Sequence, residues 1–132
     1  MSSSEALIEN RTFDEIEIGE SASLEKRLTM DDIKLFAVMS GDVNPAHVDE
    51  AFARSSRFHE LIAHGMWGGA LISTVLGTKL PGPGTIYLGQ TLRFRAPVTL
   101  GDQIRVRVTV REKDEQKGQV VFACECRNQE DA

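Results

Sequence analysis

The stretch Gly65-Met66-Trp67-Gly68-Gly69-Ala70-Leu71-Ile72-Ser73-Thr74-Val75-Leu76-Gly77-Thr78-Lys79-Leu80 decides how this chain folds. Met66, Trp67, Ala70, Leu71, Val75 and Leu76 make it apolar nearly all round, the pattern of a helix buried on every side. Gly65, Gly68, Gly69 and Gly77 interrupt it, each costing a helix up to about 1 kcal/mol relative to alanine. Glycines kept in an apolar helix imply that something packs close against its backbone. A sheet curled around the helix meets that requirement.

The rest of the chain supplies such a sheet. Pro81-Gly82-Pro83-Gly84 breaks the helix. Ile86, Leu88, Leu92 and Phe94 then alternate with more polar neighbours, with Gln90 on their face, and predict a strand that ends at Pro97. Ile104, Val106, Val108 and Val110 alternate strictly with Arg105, Arg107, Thr109 and Arg111, the signature of a half-buried strand. Lys113 to Gly118 is a polar turn, and Val120, Phe122, Cys124 and Cys126 form the hairpin partner.

Upstream, residues 21 to 28 predict a first strand. Thr29 caps a helix, with Asp32 offering a carboxylate to the first turn. Ile33, Phe36, Ala37 and Ser40 follow at helical spacing, and Gly41 ends the element. A second short helix is predicted from Val48 to about Ser55, with Ala51 and Phe52 inward. The order predicts an α+β fold, with four or five antiparallel strands around one central buried helix. At 132 residues the chain is expected to be one domain, 1–132, whose first ten polar, small residues are a frayed end.

Composition excludes several classes of function. A net charge of −5 without any Lys/Arg-dense stripe argues against a nucleic-acid partner. No apolar run approaches the roughly 20 residues that span a bilayer. Met1-Ser2-Ser3-Ser4-Glu5 lacks the basic-then-apolar order of a secretory signal. Cys124 and Cys126 lie two apart on one strand face and are poorly placed to bond each other, so free thiols in a reducing cytoplasm are expected. Two cysteines with no second pair do not make a zinc site.

The segment Ser40-Gly41-Asp42-Val43-Asn44-Pro45-Ala46-His47 carries the chemistry. Asn-Pro forces a turn, because the proline ring fixes its own φ and pushes the preceding residue out of the helical region. Asp42 and His47 therefore belong to an ordered loop, where a carboxylate and an imidazole can handle one water and one proton between them. The same Asp-x-Asn-Pro pattern is also ordinary turn chemistry, with Asp and Asn capping their own backbone. His47, His59, His64, Asp42 and Asp49 match no standard zinc spacing, so no metal is expected.

Three blocks of this chain resemble the MaoC-like, (R)-specific enoyl-CoA hydratases. The first runs from Ser40 to His47 and on through Val48-Asp49-Glu50-Ala51-Phe52-Ala53. The second is Ile62-Ala63-His64-Gly65-Met66, and the third is Leu80-Pro81-Gly82-Pro83-Gly84-Thr85-Ile86-Tyr87-Leu88-Gly89-Gln90. Two departures touch loop shape and substrate fit: Leu61 where many relatives carry proline, and Ala46 in place of a larger aliphatic residue.

The resemblance implies a hot-dog fold, a long helix wrapped by an antiparallel sheet, and a homodimer. It implies reversible hydration of a trans-2-enoyl-CoA to the (R)-3-hydroxyacyl-CoA, with Asp42 and His47 sharing the acid–base work. The amide of Gly65 would face the thioester oxygen, as the free N–H groups at a helix start allow. Asn44 would brace the loop or touch the bound water, or be a plain turn residue. Ser73 would bond near that water, line the acyl pocket, or bond back to its own helix. Gly89 and Gln90 would border the thioester end of the substrate channel. Arg93 and Arg95 suit coenzyme A phosphates or a solvated strand face equally. His64 is expected to orient the loop. Coenzyme A is part of the substrate, and no separate cofactor is expected. A hot-dog thioesterase and a non-catalytic acyl-thioester-binding subunit are the alternatives, since one fold hosts several functions.

Overall fold

The alternation of residues 103–111 translates directly into structure. In the computed structural model, which describes residues 11–42 and 61–132, strand β2 spans Gln103–Asp114. Ile104, Val106, Val108 and Val110 are fully buried while Arg105, Arg107 and Arg111 face outward. Strand β3 spans Gln119–Arg127 and pairs with β2 through a tight turn. The Asp114 carboxylate closes that turn by accepting the amides of Gln116 and Lys117 at 3.1 and 3.2 Å, and Gly118 takes a φ of 63°.

Strand β1, Ser21–Arg27, lies on the other side of β2, giving the order β1-β2-β3. Gly19 donates to the Val110 carbonyl and Val110 to that of Glu20, while Leu28 and Gly101 bond at the opposite end. Numbers rising along β1 against numbers falling along β2 make the pairing antiparallel.

Helix α1, Met30–Ser40, begins with the capping box that its sequence predicts. The Thr29 hydroxyl accepts the Asp32 amide at 3.2 Å, and the Asp32 carboxylate accepts the Thr29 amide at 3.0 Å. Helix α2 spans Gly65–Thr78. It stops short of the predicted Leu80 because Leu80 bonds to the Val75 carbonyl and Gly82 to that of Leu76, a wide closing turn.

The chain divides into two compact units. The first comprises Met1–Leu24, Ala70–Gln90 and Val106–Cys126, with Ile16, Leu80 and Val110 at its core and Ala22, Val120 and Phe122 packed on them. Lys113 crosses this unit, lying over the Phe13 ring at 4.3 Å and donating to the Ile16 carbonyl at 2.7 Å. The second comprises Glu25–Gly69, Thr91–Arg105 and Arg127–Ala132. Within it, Ala63 donates to Val98 and Leu100 to Leu61, which ties the approach to α2 against the segment before β2.

Two expectations are corrected. Residues 86–94 form no strand: the segment joins no ladder, and Ile86, Leu88 and Phe94 are 78%, 70% and 62% exposed. Alternation reports side chains sorted between two faces, whereas a strand also needs a neighbour that accepts its amides. Among the described residues the sheet therefore has three strands rather than four or five. The predicted helix at 48–55 and the first ten residues lie outside the described residues.

The capping box makes a prediction. Thr29→Ala should lower stability by about 1 kcal/mol in chemical denaturation. Partial burial raises the Asp32 carboxyl, but its bonds to Thr29 and the nearby Lys26 outweigh this and hold it below its ordinary value. A lowered folded value stabilises above the ordinary carboxylate range and is lost as pH falls through it. The stability gap between wild type and Asp32→Asn should thus be widest near neutrality and close in acid.

Candidate active site

Gly41 places the first functional residue. It ends α1 in the left-handed region at φ 79°, a conformation that suits glycine, and donates to the Ala37 carbonyl at 2.9 Å. Asp42 follows immediately. Its amide donates to the Ser40 hydroxyl at 3.2 Å, and that hydroxyl donates to the Phe36 carbonyl at 2.7 Å. One side of Asp42 is therefore fixed to the end of α1.

His64 holds the other side. Its Nε2 lies 2.8 Å from the Asp42 carbonyl oxygen and 4.0 Å from the carboxylate Oδ2. A carbonyl oxygen only accepts, so Nε2 carries the hydrogen and donates it. The imidazole is 4% exposed, and its ring centroid sits 4.9 Å from that of Phe36. The Asp42 side chain is about half exposed. The main chain is anchored to a buried ring while the carboxylate faces outward.

The next residue, Gly65, begins α2. Amides in the first turn of a helix lack intrahelical partners, and the helix dipole favours negative charge there. A Cβ on Gly65 would lie 3.2 Å from the Phe94 ring, and one on Gly69 would lie 3.2 Å from the Met66 methyl and 3.6 Å from Leu92. The close approach expected at the helix glycines is found at Gly65 and Gly69 but not at Gly77, where a Cβ would meet nothing within 4 Å. At these two positions it is made by the Phe94 and Leu92 side chains and by a neighbour on the helix itself.

Asp42 and Gly65 are thus joined through His64, all within the second unit. Ser73, Gly89 and Gln90 belong to the first unit and are exposed, with the Tyr87 hydroxyl donating to the Gln90 side-chain oxygen. Asn44 and His47 lie outside the described residues, as do Asp49 and His59. Among the described residues no group of three or more His, Cys, Asp or Glu is placed to hold a metal ion.

The Phe36 stack on His64 and the Phe94 contact at Gly65 were not foreseen. Each depends on a neighbour 28 or 29 residues away, and no local signal in the sequence carries such a pairing. Cys124 and Cys126 are exposed and not joined in a disulfide. Partial burial pushes both thiols up, Cys126 further helped by Cys124 and Glu125. Protonated thiols are poor nucleophiles.

Comparison with known proteins identifies the family. The family described as MaoC like domain matches residues 14–130. An (R)-specific enoyl-CoA hydratase of Rhodospirillum rubrum is 49% identical over 114 residues, 86% of this chain and 79% of that protein. An R-hydratase of Pseudomonas aeruginosa, solved unliganded, superposes with a TM-score of 0.89 at 48% identity, covering 93% of this chain and 79% of that one. An (R)-hydratase from A. caviae involved in PHA biosynthesis gives a TM-score of 0.87 at 40% identity, covering 89% of both chains. The chain belongs to the MaoC-like domain family, and its α+β architecture is the hot-dog fold of those hydratases.

The Phe94 contact separates two reasons for a glycine at position 65. Gly65→Ala gains up to about 1 kcal/mol of helix propensity but must displace an exposed, movable ring by a few tenths of an ångström. Its stability should stay within about 1 kcal/mol of wild type, and Phe94→Leu should remove any deficit, as measured by denaturation midpoints of the singles and the double. A large loss that Phe94→Leu does not relieve would show that this contact is not what demands the glycine.

Proposed function

We propose that this protein is an (R)-specific enoyl-CoA hydratase, which reversibly adds water to a trans-2-enoyl-CoA to give the (R)-3-hydroxyacyl-CoA. The observation that carries the reading is the bond between His64 and the Asp42 main chain. It ties Asp42, whose side chain is half exposed, to the residue that precedes the first residue of α2, and these positions carry the first and second blocks of family resemblance. The relatives described above are named for this activity.

In the proposed reaction Asp42 takes a proton from water as the water oxygen bonds to C3. His47 partners it in positioning and proton transfer. The C2=C3 electron pair moves onto the thioester oxygen, and the resulting enolate is protonated at C2, so one water is added and nothing leaves. The Gly65 amide meets the developing oxyanion, a donor worth about 3 kcal/mol in comparable sites. Asn44 braces the loop, Ser73 lines the acyl pocket, and Gly89 and Gln90 border the thioester end. Arg93 and Arg95, both exposed, suit the coenzyme A phosphates.

The proposed reaction uses only these groups of the protein, and coenzyme A enters as part of the substrate. We further assign the protein to the cytoplasm as a homodimer. There it supplies (R)-3-hydroxyacyl units to fatty-acid or polyhydroxyalkanoate metabolism, the latter being the role named for the A. caviae relative. The raised Cys124 and Cys126 thiols weigh against either cysteine acting as nucleophile in thioester hydrolysis.

Mixing the protein with crotonyl-CoA should bleach the conjugated enoyl thioester absorbance without releasing free coenzyme A. Asp42→Asn and His47→Ala should each lower kcat by about 10²- to 10⁴-fold, with KM changed far less. Release of coenzyme A would point instead to a thioesterase. An unchanged band with crotonyl-CoA and longer enoyl-CoAs would favour a non-catalytic acyl-thioester-binding subunit.

A further inference from the structure

We infer that His64 is a positioning residue for the hydration: its Nε2–H, donated to the Asp42 carbonyl, sets where the Asp42 carboxylate stands relative to the Gly65 amide. The inference rests on the hydratase reading above.

Three observations support it. The Nε2–oxygen distance is 2.8 Å, within the range of a good hydrogen bond, and the ring is 4% exposed, so water competes poorly for the donor. Phe36 lies against the imidazole at 4.9 Å with the ring planes 33° apart, which limits how the ring can turn. Phe36 also accepts the Ser40 hydroxyl through its carbonyl, and Ser40 receives the Asp42 amide. The same short stretch of α1 thus supports Asp42 from its amide side and, through Phe36 and His64, from its carbonyl side. His64 is bonded directly to Gly65, so a shift of the imidazole's backbone moves the start of α2 as well.

The bond is to the carbonyl, whereas the carboxylate Oδ2 is 4.0 Å from the same nitrogen. Removing the donor therefore leaves the carboxylate in place chemically but takes away the bond from the imidazole to its carbonyl. A reacting group misplaced by about 1 Å costs on the order of 10²-fold in rate. Such a loss falls on the chemical step, because the acyl and coenzyme A contacts are unaltered.

The test contrasts two amides of different reach. Glutamine can place an N–H near the position of Nε2, whereas asparagine reaches only as far as Nδ1. In wild type, His64→Gln and His64→Asn, cooperative thermal unfolding is followed beside crotonyl-CoA hydration. His64→Gln should keep kcat within about tenfold of wild type, and His64→Asn should lose on the order of 10²-fold, with KM within about threefold in both. Equal losses, equal retention, or a change confined to KM would overturn the inference. Should either variant fail to fold, the ring-nitrogen spectrum of ¹⁵N-histidine-labelled wild type decides: a hydrogen on Nε2 of His64 supports the joint, and a bare Nε2 overturns it. An inactive wild type overturns the hydratase reading, and the same spectrum then tests the joint by itself.

Discussion

One hydrogen bond closes a span of 22 residues: the His64 ring meets the carbonyl of Asp42. Joining two points that far apart opposes chain entropy, so the bond persists only if its surroundings favour it. They do so from several directions. Gly41 turns the chain off α1, Ser40 catches the Asp42 amide, Phe36 holds the imidazole, and burial keeps water from the bond. The end of one helix and the beginning of another become a single unit of structure. The proposed chemistry depends on that unit, because an acid–base carboxylate and an oxyanion donor are useful only at a fixed separation.

The two helix ends play opposite parts. α1 finishes in a left-handed glycine, which frees the next residue to face outward. α2 starts at an exposed glycine with the Phe94 ring close beside it. That ring is itself largely exposed, as is Met66, so the head of the helix is open to solvent beside a side chain that can move. Support behind the carboxylate and an accessible helix start suit a site that must admit a thioester.

Much of this was legible in the sequence where the cause is local. The Thr29/Asp32 capping box, the Gly41 stop and the strict alternation of residues 104–111 depend on neighbours a few positions away, and each appears as read. The apolar helix was legible from its composition, with an end set two residues earlier by the wide turn at Val75 and Leu76. It is buried on one side and not all round: Trp67, Leu71, Ile72, Val75 and Leu76 are buried, whereas Met66, Ala70, Ser73 and Thr74 are exposed. The strand expected at 86–94 was not found, because alternation carries no information about a partner's amides. Asp42 and Gly65 were legible as a pair of turn signals and as parts of two resembling blocks. What joins them was not, since the Phe36–His64–Asp42 arrangement is a tertiary contact with no sequence period. His47 and Asn44, the other half of the loop, lie outside the described residues, and their roles rest on family resemblance.

The most direct test of the central claim follows the added atoms. The protein is incubated with crotonyl-CoA in D₂O, and the product is examined for configuration at C3 and isotope at C2. Hydration at a single fixed site predicts (R)-3-hydroxybutyryl-CoA carrying one deuterium at C2 with one configuration, and no free coenzyme A. A racemic or (S) alcohol, scrambled deuterium at C2, or release of coenzyme A in place of the alcohol would contradict the account.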